Sequence, residues 1–168
     1  IPNNFTISSW AKPYQTHGID AETTSGTAGT AGQHYLYYPS QGGTNAGAGI
    51  SLGTNGVSVY EHGNSYIPST LVYQPGTDTD WQYLSVAYDS KQPTLYKNGA
   101  SVRTGLTSLR SNVYAIGNTS AIGGGGFGYH DGEVDEMRIS STTRTAAWIS
   151  AEYTNQSTTT DFYTASAY

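Results

Sequence analysis

Asp131, Glu133 and Asp135 stand at alternate positions, so on an extended strand their three carboxylates share one face. Three hard oxygen ligands at that spacing, helped by loop carbonyls, suit Ca2+, which accepts about six to eight oxygens. The competing reading has Asp135 capping a loop while Asp131 and Glu133 stand in solvent. Two other clusters combine aromatic rings, which stack on the C–H faces of a pyranose, with polar side chains that bond its hydroxyls. One is Glu61-His62-Gly63-Asn64-Ser65-Tyr66, the other Phe127-Gly128-Tyr129-His130-Asp131. Glu61, His62, Asn64, Tyr66, Tyr129 and His130 are therefore candidate ligand-binding residues, on loops of the kind that usually carry binding. With 15 tyrosines in 168 residues, some loop aromatics merely cover the edge of a core.

No catalytic residue emerges. Neither Gly-x-Ser-x-Gly nor His-Glu-x-x-His occurs, and His17, His34, His62 and His130 share no metal-ligand spacing. Gly123 to Gly126 lacks the Lys-Ser/Thr and helix of a phosphate loop. Cysteine is absent, which excludes disulfides, thiolate zinc sites and cysteine nucleophiles.

These residues need a scaffold, and the scaffold reads as antiparallel β. Trp81 to Tyr88 alternates with period two, and Leu95-Tyr96-Lys97 and Ala100-Ser101-Val102 flank Asn98-Gly99, the signature of a type I′ hairpin turn. Ile50 to Leu52 and Val57 to Glu61 flank a second Asn-Gly pair at 55–56. Phe5 to Trp10 is a strand ended by Pro13, with Phe5, Ile7 and Ser9 facing one way. His34 to Tyr38, Leu71 to Tyr73, Ala100 to Arg103, Val113 to Ile116 and Gly132 to Ile139 complete the set. Residues 17–33 and 41–49 read as surface loops. Thr142 to Tyr153 is the one helical stretch, capped by Thr142 or Thr143, with Ala146, Ile149 and Tyr153 on one stripe. Trp10, Trp81 and Trp148 read as core, Lys12, Lys91 and Lys97 as solvated, and Arg103 and Arg110 as partners for a carboxylate such as Glu136.

One domain, 1–168, fits the length, with 154–168 as a tail or closing strand. A net charge of −5, with seven scattered basic residues, argues against nucleic acid. No apolar run approaches the roughly 18 residues that span a membrane, so membrane insertion is not expected. The chain opens on Ile1 without a visible leader, as a processed secreted or cell-surface product would. Charged residues make up only 11%, and Asn4, Asn118 and Asn155 open N-x-Ser/Thr sequons open to glycosylation.

The order FTISSWAKP (Phe5 to Pro13), the hairpin Trp81 to Arg103, GEVDEMRI (Gly132 to Ile139) and a helix beginning near Thr143 resembles the bacterial laminin-G-like branch of the concanavalin A-like lectin/glucanase family. The blocks Gly43 to Pro68 and Arg103 to Thr107 are similar to recurrent blocks of one subgroup. The resemblance implies an all-β, two-sheet antiparallel jelly-roll sandwich with one short C-terminal helix, often with a Ca2+ near its rim. Glucanases of this fold place acids in a Glu-x-Asp-x-Glu pattern. Here the strand reads Glu133-Val134-Asp135-Glu136-Met137, with Met137 at the third position and Glu136 on the opposite face. A retaining hydrolase so altered lacks its proton donor. Family members also carry a strand before FTISSW, so Phe5 to Trp10 is expected at an edge, covered by the tail or by another copy.

Two functions follow as expectations. The first is a non-catalytic extracellular recognition or adhesion module that binds glycans or a cell-surface polymer, with Ca2+ as a candidate cofactor. The second is a structural subunit self-associating into a fibre or sheath by strand addition through Thr158 to Tyr168.

Overall fold

The computed structural model describes residues 2–39, 42–117 and 119–158. Among the described residues, thirteen strands and one helix follow in chain order: β1 (Phe5–Pro13), β2 (Tyr35–Tyr38), β3 (Ala46–Gly53), β4 (Gly56–His62), β5 (Ser69–Tyr73), β6 (Gln82–Asp89) and β7 (Gln92–Lys97). Then come β8 (Ala100–Thr104), β9 (Val113–Tyr114), β10 (Ala121–Ile122), β11 (Gly124–Gly125), β12 (Gly128–Tyr129), β13 (Gly132–Ser140) and α1 (Ala146–Ser157). A five-stranded sheet runs β13-β1-β6-β7-β8, and a second sheet runs β10-β2-β3-β4-β5 with β9 added parallel to β3. The jelly-roll sandwich expected from the sequence is what forms.

Alternation builds the core. Phe5, Ile7 and Ala11 of β1, Leu84, Val86 and Tyr88 of β6 and Leu95 of β7 point inward. They meet Tyr37, Ile50, Leu52, Val57, Val59 and Leu71 of the facing sheet. Both outer faces are also covered. Tyr35, Tyr38, Tyr60 and Ile67 lie under Ala28, Ala121 and Phe127. Trp10, Tyr83, Ala87 and Tyr96 lie under Ile149 and Tyr153 of α1.

Several expectations need correction. β1 is not an edge, because β13 and β6 pair with it on either side; the sheet's edges are β13 and β8. The segment 17–33 is not a free surface loop. Thr23 and Ala28 donate to the carbonyls of Ser69 and Ile67, and Ile67 donates to that of Gly26, so the segment covers the exposed edge of β5. His17 within it is buried against Ser51, which pushes its pKa down to about 4. Asn98 and Gly99 take the left-handed angles expected (φ 50° and 79°). The other hairpin turns instead on Thr54-Asn55, between the paired Gly53 and Gly56. The turn from β6 to β7 uses left-handed Ser90 and Lys91, where no glycine announced it.

α1 is capped by Thr145, whose hydroxyl accepts from the Trp148 N–H, and it runs on to Ser157. The first residues assigned to the tail are thus helical, and those from 159 onward lie outside the described residues. Among the described residues, no helix is long and apolar enough to cross a membrane.

Candidate functional site

The two loop clusters singled out in the sequence meet over the second sheet. His62 and Phe127 pack with ring centroids 5.2 Å apart, and Tyr38 touches both. Gly128 lets the loop sit this close, since a Cβ there would stand 1.8 Å from the Gln33 carbonyl oxygen. Of the six candidate binders, Tyr129 is 73% exposed and Asn64 is exposed, its amide oxygen accepting from Gly43 N–H. His62 is half-buried, with Nδ1 against the Pro39 carbonyl.

The fold withdraws Glu61 and Tyr66 from solvent and half-buries His130. Glu61 is fully buried, and Ser108, Tyr66 and Tyr88 all donate hydroxyls to it. Desolvation pushes its pKa from an ordinary 4.5 up to about 7 against the pull of those hydroxyls. Tyr66 is buried too, with the Arg110 guanidinium 3.8 Å from its ring centroid. Both ring nitrogens of His130 are enclosed and unpartnered, and burial lowers its pKa.

The acidic strand is rearranged by a bulge. Trp10 pairs with Asp135 and Ser8 with Arg138, so β13 carries one extra residue, and Glu136 takes φ 52° there. On a straight strand Glu133, Asp135 and Met137 would share a face. The bulge instead packs Met137, like Val134, against the core and leaves Arg138 outside after Asp135. Glu136 is not on the core-facing side: it is exposed and bound to Arg138. The proposed calcium set is not gathered either. Glu133 accepts from Tyr14 and sits 3.8 Å from Lys12, and Asp135 accepts from the N–H of Glu136. Among the described residues, no group of three His, Cys, Asp or Glu side chains could hold a metal ion. Arg103 pairs with Glu22, not Glu136, and Lys97 pairs with Asp78.

A different site appears where α1 crosses the outer face of the five-stranded sheet. A groove of about 590 Å³ is lined by Trp10, Trp81, Asp135, Glu136, Arg138, Asn155, Gln156 and Ser157. Trp81 just precedes β6 and is 40% exposed, so it is not core. Half-buried Trp10 donates its indole N–H to Gln156 Oε1 at 2.6 Å. Arg138 bridges Glu136 and Glu152, and buried Glu152 also accepts from Tyr83. The groove thus has aromatic faces, two carboxylates, two amides and one guanidinium, each held by the sheet or the helix. Trp148, read as core from the sequence, stands beside this groove: it adjoins Ile149, and neighbours on a helix lie roughly 100° apart, so both cannot lie on the buried stripe. Trp148 is indeed 39% exposed. Of the sequons, exposed Asn155 lines the groove, exposed Asn4 accepts from Ser90 N–H, and Asn118 lies outside the described residues.

Residues 2–150 match the model of the concanavalin A-like lectin/glucanases superfamily, and the chain belongs to that family. No curated protein sequence matches it. Among solved structures, it is similar to domain 4 of AbnA, a GH43 extracellular arabinanase from Geobacillus stearothermophilus, in complex with arabinotriose. That match has a TM-score of 0.53 at 20% identity, over 89% of this chain and 66% of that one. It is also similar to botulinum neurotoxin type C, whose cell entry depends on interaction with two ganglioside molecules (TM-score 0.63, 10% identity, 91% of this chain and 36% of that one). The binding domain of Paraclostridial Mosquitocidal Protein 1 gives 0.58 at 14% identity, over 92% and 37%. The chain spans just under two thirds of the arabinanase domain chain and little more than a third of the two toxin chains. At these identities the likenesses show a common fold.

Proposed function

We propose that this chain is a non-catalytic carbohydrate-binding module that works outside the cell, with its principal sugar site in the groove between α1 and β13. The observation that carries this reading is Trp81, a 40% exposed indole beside Asp135, Asn155 and Gln156. An aromatic platform with planar polar groups at its margin is what a pyranose requires: a face for its C–H surface and partners for its hydroxyls. Similarity to a domain solved with arabinotriose, and to a toxin that enters cells through gangliosides, supports sugar as the ligand class. The non-catalytic reading is supported by β13, whose third outward position is Arg138, and by Glu136, whose carboxylate is taken up by that arginine. A retaining glycosidase instead needs a second carboxyl group about 5 Å from the first, free to give up a proton. Low charge and the exposed sequon at Asn4 support an extracellular setting.

The exposed ring of Tyr129, next to His62 and Asn64, offers a smaller second contact surface. One motive for strand addition between copies falls away, since β1 is paired on both sides and is not an open edge; the stretch from 159 onward that would add the strand lies outside the described residues.

Trp81→Ala is the direct test. On a glycan array followed by calorimetry, the wild type retains a defined glycan class, and the variant binds it roughly 30-fold more weakly, the loss of about 2 kcal/mol expected for a central aromatic anchor. Its melting temperature stays near the wild-type value. A wild-type array blank at millimolar protein would sink the proposal. Calcium has no place in this reading. Chelation with EDTA is expected to leave melting and sugar binding unchanged, whereas a resident ion at 100 times its Kd would contribute about 2.7 kcal/mol.

A further inference from the structure

The groove does not end at Arg138. A second recess of about 590 Å³, lined by Thr6, Ser8, Ser140, Ser141, Arg144 and Trp148, also touches Arg138 and Glu152. A smaller one, between Arg138, Trp148 and Asn155, lies between the two. Together they follow α1, which is twelve residues and therefore about 18 Å long, with Trp81 at one end and Trp148 at the other.

The Trp148 end differs from the Trp81 end in charge. Arg138 is neutralised by Glu136 and Glu152. Arg144 is not: no carboxylate pairs with it among the described residues, and its Nε is enclosed without a hydrogen-bond partner. Its guanidinium lies 4.1 Å from the Trp148 ring centroid, and its backbone N–H donates to Thr6 Oγ1 at 2.9 Å. Both contacts hold the side chain in the recess while leaving its donor fork unused. A planar, always-charged fork fixed by stacking takes a carboxylate with two parallel hydrogen bonds. The surrounding Ser140 and Ser141 hydroxyls suit the remaining oxygens of a sugar ring.

We propose that the groove selects an acidic oligosaccharide, one in which a uronic acid unit places its carboxylate on Arg144 while a unit farther along the same chain, at the other end of the groove, stacks on Trp81. This rests on the carbohydrate-binding reading above and adds to it a substrate class and a specificity-determining residue.

The test compares galacturonate and glucuronate tetramers with neutral galactose and glucose tetramers of the same linkages, by calorimetry, on the wild type, Arg144→Gln, Arg144→Lys and Trp81→Ala. The wild type is expected to bind one uronate at least tenfold more tightly than its neutral counterpart. Arg144→Gln erases that preference, Arg144→Lys keeps part of it, and Trp81→Ala weakens both ligands alike. Equal affinity for charged and neutral tetramers, unchanged by Arg144→Gln, would overturn the acidic assignment and leave the sugar site standing. Binding of neither ligand type overturns the assignment too, and the array result then decides the fate of the broader reading. Melting temperatures separate a lost contact from a disturbed fold: if Arg144→Gln lowers melting, Arg144→Lys carries the comparison.

Discussion

Replacing Glu61 with glutamine is expected to make the protein more stable at pH 8 and no more stable below pH 4. Glu61 is fully buried where β4 meets β6 and the segment carrying Ser108, and its carboxyl stays protonated up to about pH 7. In the unfolded chain it ionises near 4.5. Between those values the folded state binds more protons than the unfolded state, so stability falls as pH rises, and above 7 the whole penalty is present. A shift of that size corresponds to something on the order of 3 kcal/mol. Glutamine keeps the shape and stays neutral, and the hydroxyls of Ser108, Tyr66 and Tyr88 can turn to donate to or accept from its amide. At pH 8 the variant should melt about 6–12 °C higher than the wild type.

Histidines titrate through the same window with the opposite sign. His17 is held neutral down to about pH 4, and His130 is shifted the same way, so each destabilises the fold as pH drops below its unfolded value near 6.5. A wild-type melting curve alone therefore mixes two trends. The difference between wild type and Glu61→Gln cancels the histidines and leaves the carboxyl: constant below the unfolded value of 4.5, growing from there to about 7, flat above. If the glutamine variant were the less stable one at pH 8, the three hydroxyls would be overcoming desolvation and the carboxylate would belong there as an anion.

Glu61 also marks the limit of what could be read from the chain. Period-two alternation places Phe5, Ile7 and Ala11 on the core side, and the Asn98-Gly99 turn follows from its residue types, because both depend on local geometry. Whether a polar residue at a strand end faces solvent depends on what crosses it later. Ser108, 47 residues on, covers Glu61, and nothing near Glu61 signals this. The β13 bulge was hidden for a related reason: Glu136 adopts a left-handed angle that glycine or asparagine would have advertised. The acidic face was thus read in the wrong register beyond Asp135. The groove was missed because its walls come from the start of β6, the bulged part of β13 and the last turns of α1, which only the fold brings together. Trp148 was read as core, although its position next to Ile149 places it off the buried stripe.

That same spacing makes Ile149→Ala the substitution expected to do most damage to α1 and the groove it walls. Among the described residues of the helix, Ile149 and Glu152 are the buried ones. Ile149 has no exposed surface and packs with Tyr83 and Ala87 of the sheet. Removing three carbons there forfeits their transfer energy and opens a void that β6 cannot close, costing about 3 kcal/mol. Melting should fall by roughly 6–12 °C. Trp148→Ala, one residue earlier on the solvent side, should cost under about 1 kcal/mol. Amide exchange along α1 should quicken in the Ile149 variant before it does in the strands, because the Glu152 network with Tyr83 and Arg138 cannot hold the helix once its apolar anchor is gone. Sugar affinity should fall with it, since Asn155 and Gln156 reach the groove only from a docked helix. An Ile149→Ala protein that melts within about 2 °C of the wild type would mean that α1 is held by its polar contacts instead. The groove would then owe its shape to Glu152.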